Sequence, residues 1–216
     1  NLELNQPVDS VTATSDDVVT RTRSGREFRS SYAFVATGRL GDLTFLTDHG
    51  PRLDHDGGFL SVDERGRTNL PHVYGCGDVT GPPLTANKAL QQARTVVDSI
   101  VGAFASSGTG FSGATIQAVY TRPELAQIGP VLNVHTAPDL EVVRRRFDRS
   151  MNAIVHAEPA GEVKIWVDPA NQTIRGAVAF GEHASAVLGV VQVAMNNQLP
   201  LSSISEVPFA YPSSLE

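Results

Sequence analysis

With 216 residues, 41% of them hydrophobic, the chain can bury a core sufficient for one large domain or two small ones. Its formal net charge is −6 with the histidines neutral, and its arginines are scattered apart from the run Arg144, Arg145, Arg146; this balance argues against nucleic acid or an anionic membrane as a partner. No stretch reaches the ~20 apolar residues that span a bilayer, and the single cysteine, Cys76, excludes a disulphide framework, a thiol-rich zinc site and an internal dithiol centre, while fitting a reducing, cytoplasmic setting.

In chain order, three short β-prone runs at residues 8–14, 18–23 and 27–32, separated by Ser/Asp and Ser24-Gly25 turn signals, predict an antiparallel meander. Residues 33–38, Ala-Phe-Val-Ala-Thr-Gly, form a continuous apolar run ending in glycine, the pattern of a strand buried on both faces. Residues 39–71 are rich in Gly, Asp and His and read as connecting structure, with one strand at 59–63 and a turn at Glu64-Arg65-Gly66-Arg67. Residues 73–78 predict a second short buried strand. Beyond the Gly81-Pro82-Pro83 loop, Leu84, Ala89, Leu90, Ala93, Val96, Val97, Ile100, Val101 and Phe104 recur at three- and four-residue spacing, which predicts an amphipathic helix of about five turns. Residues 106–110, Ser-Ser-Gly-Thr-Gly, read as a domain boundary.

Beyond residue 111 a Pro138-Asp139 start predicts a helix through Phe147. Strands are predicted at 151–157, 163–168 and 174–180, with Asp168-Pro169-Ala170-Asn171 as the turn between the last two, and a second helix at 184–196. Strands clustered between helices point to an α+β domain built on an antiparallel sheet.

Chemistry concentrates at Gly75-Cys76-Gly77-Asp78. The glycines let backbone approach a ligand closely, and an ionised aspartate beyond them accepts hydrogen bonds from two sugar-like hydroxyls. Taken alone, Asp78 fits better as a loop residue capping the turn that follows, and the surrounding sequence has to decide. Asp54, His55 and Asp56 lack the alternating oxygen-ligand pattern of a cation loop and read as a solvated turn. Cys76 reads as a small buried filler, Trp166 as a core or interface residue, and the remaining histidines as singly placed structural or surface residues.

The wider context is the run Arg67-Thr68-Asn69-Leu70-Pro71-His72-Val73-Tyr74-Gly75-Cys76-Gly77-Asp78-Val79-Thr80-Gly81, followed by Leu84 and the long helix with Ala93-Arg94. It closely resembles the second FAD-contact segment of the glutathione reductase and dihydrolipoamide dehydrogenase family. Three further segments match in order. Ala36-Thr37-Gly38-Arg39 resembles the motif closing that family's NAD(P)H domain. The run Val119-Tyr120-Thr121-Arg122-Pro123-Glu124-Leu125-Ala126-Gln127-Ile128-Gly129 resembles the start of its interface domain. Tyr211-Pro212-Ser213-Ser214-Leu215-Glu216 resembles its C-terminal active-site segment.

This resemblance to a class I pyridine nucleotide-disulphide oxidoreductase implies an α/β plus α+β fold in three parts. Residues 1–39 would be the end of the NAD(P)H domain, 40–110 the C-terminal part of the FAD domain, and 111–216 a homodimerising interface domain. It implies FAD and NAD(P)H as cofactors and a small-molecule electron acceptor: a disulphide, a metal ion or a quinone. Asp78 would bind the ribityl chain, with Gly77, Gly38 and Arg39 also on the cofactor side. The amides of Thr85, Ala86 and, less strongly, Asn87 would face the flavin pyrimidine edge, where a helix N-terminus stabilises negative charge.

Two departures stand out. Gly41 occupies a position where the family usually has proline. Tyr211, with Glu216 five residues on, stands where the dihydrolipoamide dehydrogenases and glutathione reductases have a histidine that serves as acid and base for thiol chemistry, and where the mercuric reductase branch has tyrosine. Phenols titrate near 10, so a tyrosine there donates a hydrogen bond but is a poor base for a dithiol. A plainer alternative packs Tyr211 at the interface with its hydroxyl on a backbone carbonyl. For the chain as a whole the alternatives are a non-catalytic dimerisation module and a flavoprotein redox sensor.

Overall fold

The computed structural model describes residues 2–44, 52–103, 111, 113–130, 132, 135–157 and 160–215. It separates into two compact units, Asn1–Arg39 and Leu40–Glu216.

The first unit is an antiparallel meander of β1 (Val8–Ala13), β2 (Val18–Thr22) and β3 (Glu27–Ser30), in that spatial order. The Thr14 hydroxyl and amide both reach Asp17 across the first turn, and Gly25 takes a φ of 84° in the second, where a side chain would be strained. Arg29 reaches Asp17 at 3.0 Å and Arg21 reaches Glu27 at 2.7 Å, tying the strands by exposed pairs that each contribute little alone. Residues 33–38 are not the buried strand that their composition predicts: they are irregular, and Phe34 is 94% exposed. A strand buried on both faces needs paired neighbours and two covering layers, and this unit contains only the meander, whose strands pair with one another.

The second unit begins with a two-residue ladder of β4 (His55–Asp56) and β5 (Phe59–Leu60), so the strand expected at 59–63 is cut to its first two residues. Residues 73–78 are also not a strand. They make one isolated bridge, Arg67 to Tyr74, and then turn into a 3-10 turn at Gly77–Thr80. Helix α1 spans Ala86–Ile100, within the predicted 84–104; Phe104 and the expected boundary at 106–110 lie outside the described residues.

The core is a five-stranded antiparallel sheet of β6 (Gln117–Val119), β7 (Leu125–Ile128), β8 (Glu141–Arg146), β9 (Gly161–Val167) and β10 (Ile174–Gly181), in the spatial order β6-β7-β10-β9-β8. Helix α2 (Met151–Val155) precedes β9, and α3 (Ala184–Asn196) and α4 (Ser202–Ser205) follow β10. The register aligns Ala126 with Ala179 and Ile128 with Ala177, and these small side chains let α3 approach closely enough for Leu188, Val191 and Ala194 to be fully shielded. Burying a leucine such as Leu188 contributes roughly 1.5–3 kcal/mol. Glu124, just ahead of β7, accepts the Ser185 amide at 2.8 Å and so satisfies one of the free donors at the start of α3.

Two assignments in this unit reverse. Residues 138–147 predicted a helix, yet 141–146 form the edge strand β8, and 151–157 predicted a strand, yet 151–155 form α2. In β8, Val142 and Val143 suit a pleated surface, and pairing with β9 places Glu162 against Arg144, with Lys164 at 2.9 Å on the same carboxylate. The α3 sequence, apolar on more than one face, is mostly satisfied by the sheet, with Val193 left 60% exposed.

Candidate functional site

The predicted site centres on the segment that leads into α1. Asp63 accepts the amides of Arg65 and Arg67 through its carboxylate, and Gly66 folds back so that its carbonyl receives the Gly75 amide at 2.9 Å. Gly66 has φ 75°, and a Cβ there would stand 2.5 Å from Val96 Cγ2 and 2.9 Å from the Phe111 ring. Glycine is therefore required both by backbone conformation and by the close passage of α1. This clasp delivers Gly75, Cys76 and Gly77 to the 3-10 turn that carries Asp78.

The turn is held from behind by α1. Hydrophobic periodicity places the apolar residues of α1 inward, but Leu90, Val97, Ile100 and Val101 are exposed, while Lys88, Gln92, Thr95 and Ser99 are buried. Two of these polar residues explain the orientation. Gln92 Oε1 accepts the buried Gly77 amide at 2.7 Å and lies 3.0 Å from the Thr80 hydroxyl, which also reaches the Gly77 carbonyl at 2.8 Å. Lys88 Nζ donates to the Gly81 carbonyl and lies 3.4 Å from Thr80 Oγ1. Burial pushes the Lys88 ammonium below the usual lysine range, and the charge of Asp78 opposes that shift. Sequence reading missed both residues. The signal was the polar series 88, 92, 95, 99 at helical spacing, which the apolar series beside it obscured.

Asp78 is exposed at the front of the turn, and Gly77 is buried with φ 80°. Thr85 is the extended residue before α1, its side chain makes no capping bond, and its Oγ1 is buried without a partner among the described residues. The Thr85 amide donates to the Pro83 carbonyl and the Lys88 amide to Asn87 Oδ1, both at 3.1 Å, which leaves the first-turn amides of Ala86 and Asn87 to other acceptors. Gly41, at the position expected to be proline, passes against the same loop: a Cβ there would stand 3.3 Å from Val79 Cα and from the Gly58 carbonyl. A cavity of about 700 Å³ lies beside the loop, with Phe59, Thr80, Lys88 and Gln92 in its wall.

The structure thus brings Gly77, Asp78, Thr85, Ala86 and Asn87 to one loop and helix end. Gly38, with φ 97°, and Arg39 belong to the first unit. Tyr211 is 69% exposed in the last segment of the second unit, and its hydroxyl has no hydrogen-bond partner among the described residues; Glu216 lies outside them. The segment is tied down through Asn152, whose amide donates to Ser214 Oγ at 3.2 Å. Cys76 is exposed rather than a buried filler. Trp166 is buried in the sheet. His55 and Asp56 belong to the β4–β5 ladder, and no group of three potential ligands able to hold a metal occurs among the described residues.

Comparison with known proteins places this geometry in context. Residues 1–93 match the family described as pyridine nucleotide-disulphide oxidoreductase, and residues 115–216 match the dimerisation domain of the same family. The chain belongs to the pyridine nucleotide-disulphide oxidoreductase family. Among curated members of that family, soluble pyridine nucleotide transhydrogenase of Vibrio cholerae is 29% identical over 214 residues, covering 96% of this chain and 46% of the relative. The Pseudomonas putida protein of the same description is 29% identical over 219 residues, covering 98% and 46%. The chain therefore spans about half the length of the curated relatives it matches. Among solved structures, LpdA from Mycobacterium tuberculosis superposes with a TM-score of 0.83 at 25% identity, over 97% of this chain and 46% of that one. The flavoprotein disulfide reductase RclA from Escherichia coli shares the fold at 21% identity, with a TM-score of 0.81 over 98% of this chain and 49% of that one. The α+β fold with its antiparallel sheet is that of the pyridine nucleotide-disulphide oxidoreductases.

Proposed function

We propose that this chain supplies one wall of the flavin site and the dimer-forming domain of an FAD-dependent NAD(P)H oxidoreductase. The observation that carries this reading is the loop at 77–81, which is fixed to α1 from behind and presents Asp78 beside an uncapped helix N-terminus. The residues present fit a flavin: the unpartnered Thr85 hydroxyl and the amides of Ala86 and Asn87 are donors in need of an acceptor, and Asp78 is an acceptor for sugar-like hydroxyls. Bound there, FAD would accept a hydride from the nicotinamide and pass electrons on.

What this chain contributes is orientation and charge. Asp78 would fix the ribityl chain, and the end of α1 would place its positive dipole, with the Thr85 hydroxyl and the Ala86 amide, where the reduced flavin accumulates negative charge; the Thr85 amide is taken by the Pro83 carbonyl. On the same reading residues 1–39 close the NAD(P)H domain, with Gly38 and Arg39 on the cofactor side, residues 40–110 complete the FAD domain, and residues 111–216 form the dimer. The register of the sheet supports the last assignment, because it aligns Val119, Leu125 and Phe180 in one row that is 41–56% exposed, with Tyr120 adjoining at 81%. Such a row suits a self-complementary contact.

Tyr211, with Glu216, would face the acceptor side. A phenol does not take a proton from a thiol at neutral pH, so an acceptor that needs no thiol deprotonation suits this position. A metal ion or a quinone meets that requirement, and so does a second pyridine nucleotide, the acceptor class in the name of the transhydrogenase relatives. The test is to purify the full-length polypeptide containing this sequence, identify any chromophore released on denaturation, and add NADH or NADPH without oxygen. FAD release and bleaching of the flavin absorbance are expected, with slow turnover of small disulphides that Tyr211→His accelerates. A native product without flavin would overturn the reading in favour of a non-catalytic dimerisation module.

A further inference from the structure

We infer that Gln92 and Lys88 are positioning residues which clamp the two ends of the loop at 77–81 onto α1, so that Asp78 and the helix N-terminus meet a flavin in one fixed geometry. The inference rests on the flavin reading above. Gln92 and Lys88 are 4% and 6% exposed and sit one helical turn apart on the inward face of α1. Gln92 takes the start of the loop, through the Gly77 amide at 2.7 Å; Lys88 takes its end, through the Gly81 carbonyl; Thr80 bridges the two. Both flanking glycines have positive φ, 80° at Gly77 and 94° at Gly81, so the backbone itself is freest at the two points where the side chains grip it.

A glutamine and a lysine buried at this cost are kept only where their polar groups are satisfied. Here backbone groups of the site loop satisfy them. Core packing alone would be served by apolar residues at these two positions. The group that the clamped loop presents is the Asp78 carboxylate. Neither residue touches the ligand on this account; both act through the loop.

The test compares Gln92→Leu, Gln92→Glu and Lys88→Met. In the full-length polypeptide stripped of cofactor, amide exchange at Gly77 is expected to accelerate at least about ten-fold in Gln92→Leu, because its acceptor is gone, and to stay near wild type in Gln92→Glu, which keeps an acceptor oxygen. In the full-length polypeptide stripped of cofactor and titrated with FAD, Gln92→Leu and Lys88→Met are expected to weaken binding by about ten-fold or more, a change of ~1.4 kcal/mol, with Gln92→Glu restoring most of it. Unchanged Gly77 exchange in Gln92→Leu would overturn the clamp. Faster exchange with unchanged FAD affinity would overturn its role in positioning. A wild-type full-length polypeptide that takes up no FAD would sink the flavin reading instead, and the exchange data would still stand. If Gln92→Leu does not fold, Lys88→Met decides: FAD affinity equal to wild type in that variant would overturn the positioning role.

Discussion

Single residues set the geometry of the candidate site more sharply than composition suggests. Gly66 has to be glycine twice over, for its φ of 75° and for the 2.5 Å that would separate a Cβ from Val96. Gly66→Ala is expected to destabilise the chain by roughly 2–4 kcal/mol, the sum of left-handed strain and overpacking, and chemical denaturation would measure it; a loss below 1 kcal/mol would mean that the clasp is looser than drawn. Asp78 was singled out in the sequence only by the long run around it, since glycines and a carboxylate alone equally describe a capped turn. Lys88 and Gln92 were not, since a buried polar residue on a helix leaves the same trace as a solvated one. Cys76 misled for a related reason: a small residue between glycines reads as filler, and only the structure shows that it is exposed.

Elements follow the same division between local and tertiary control. Helix α3 is legible end to end because its apolar residues repeat at helical spacing and the sheet beneath takes them, whereas β8 and α2 were exchanged. Glu141-Val142-Val143-Arg144-Arg145-Arg146 is long and charged enough to pass as helix, and Met151-Asn152-Ala153-Ile154-Val155 is short and apolar enough to pass as strand. What decides is pairing with β9, which no local pattern records. The run at 33–38 failed in the same way, because a doubly buried strand is a statement about neighbours.

The β8–β9 pairing makes a pH prediction. Hydrogen bonds from Lys164 and Arg144 hold the Glu162 carboxyl below its ordinary range. A carboxylate with a lowered folded value contributes stability that is present above the ordinary carboxylate value and is lost as pH falls through the folded one. Glu162→Gln should therefore flatten the acid limb of the stability curve while changing little near neutrality, where exposed pairs contribute little. An acid limb identical to wild type would assign the loss to other carboxylates, with Asp168, paired to Arg175 at 2.6 Å and shifted the same way, the next to examine.

At the scale of the whole molecule, family membership was legible because four motifs stand in order along the chain, and four in order are more specific than any one. The apolar row of Val119, Leu125 and Phe180 was not legible, since it arises from the register of three strands. The chain is expected to sediment as a dimer at micromolar concentration and to shift toward monomer on Phe180→Arg; a wild-type monomer would make this row the wrong face or the domain the wrong kind.

The central claim is that Asp78 and the end of α1 form a wall of a flavin site. The most direct measurement is the FAD affinity of the full-length polypeptide, stripped of cofactor, with Asp78 intact and with Asp78→Ala. A hydrogen bond to a charged group is worth about 1.5–3 kcal/mol, so the substitution is expected to weaken FAD binding by at least ten-fold. Equal affinities in the two proteins would contradict the account.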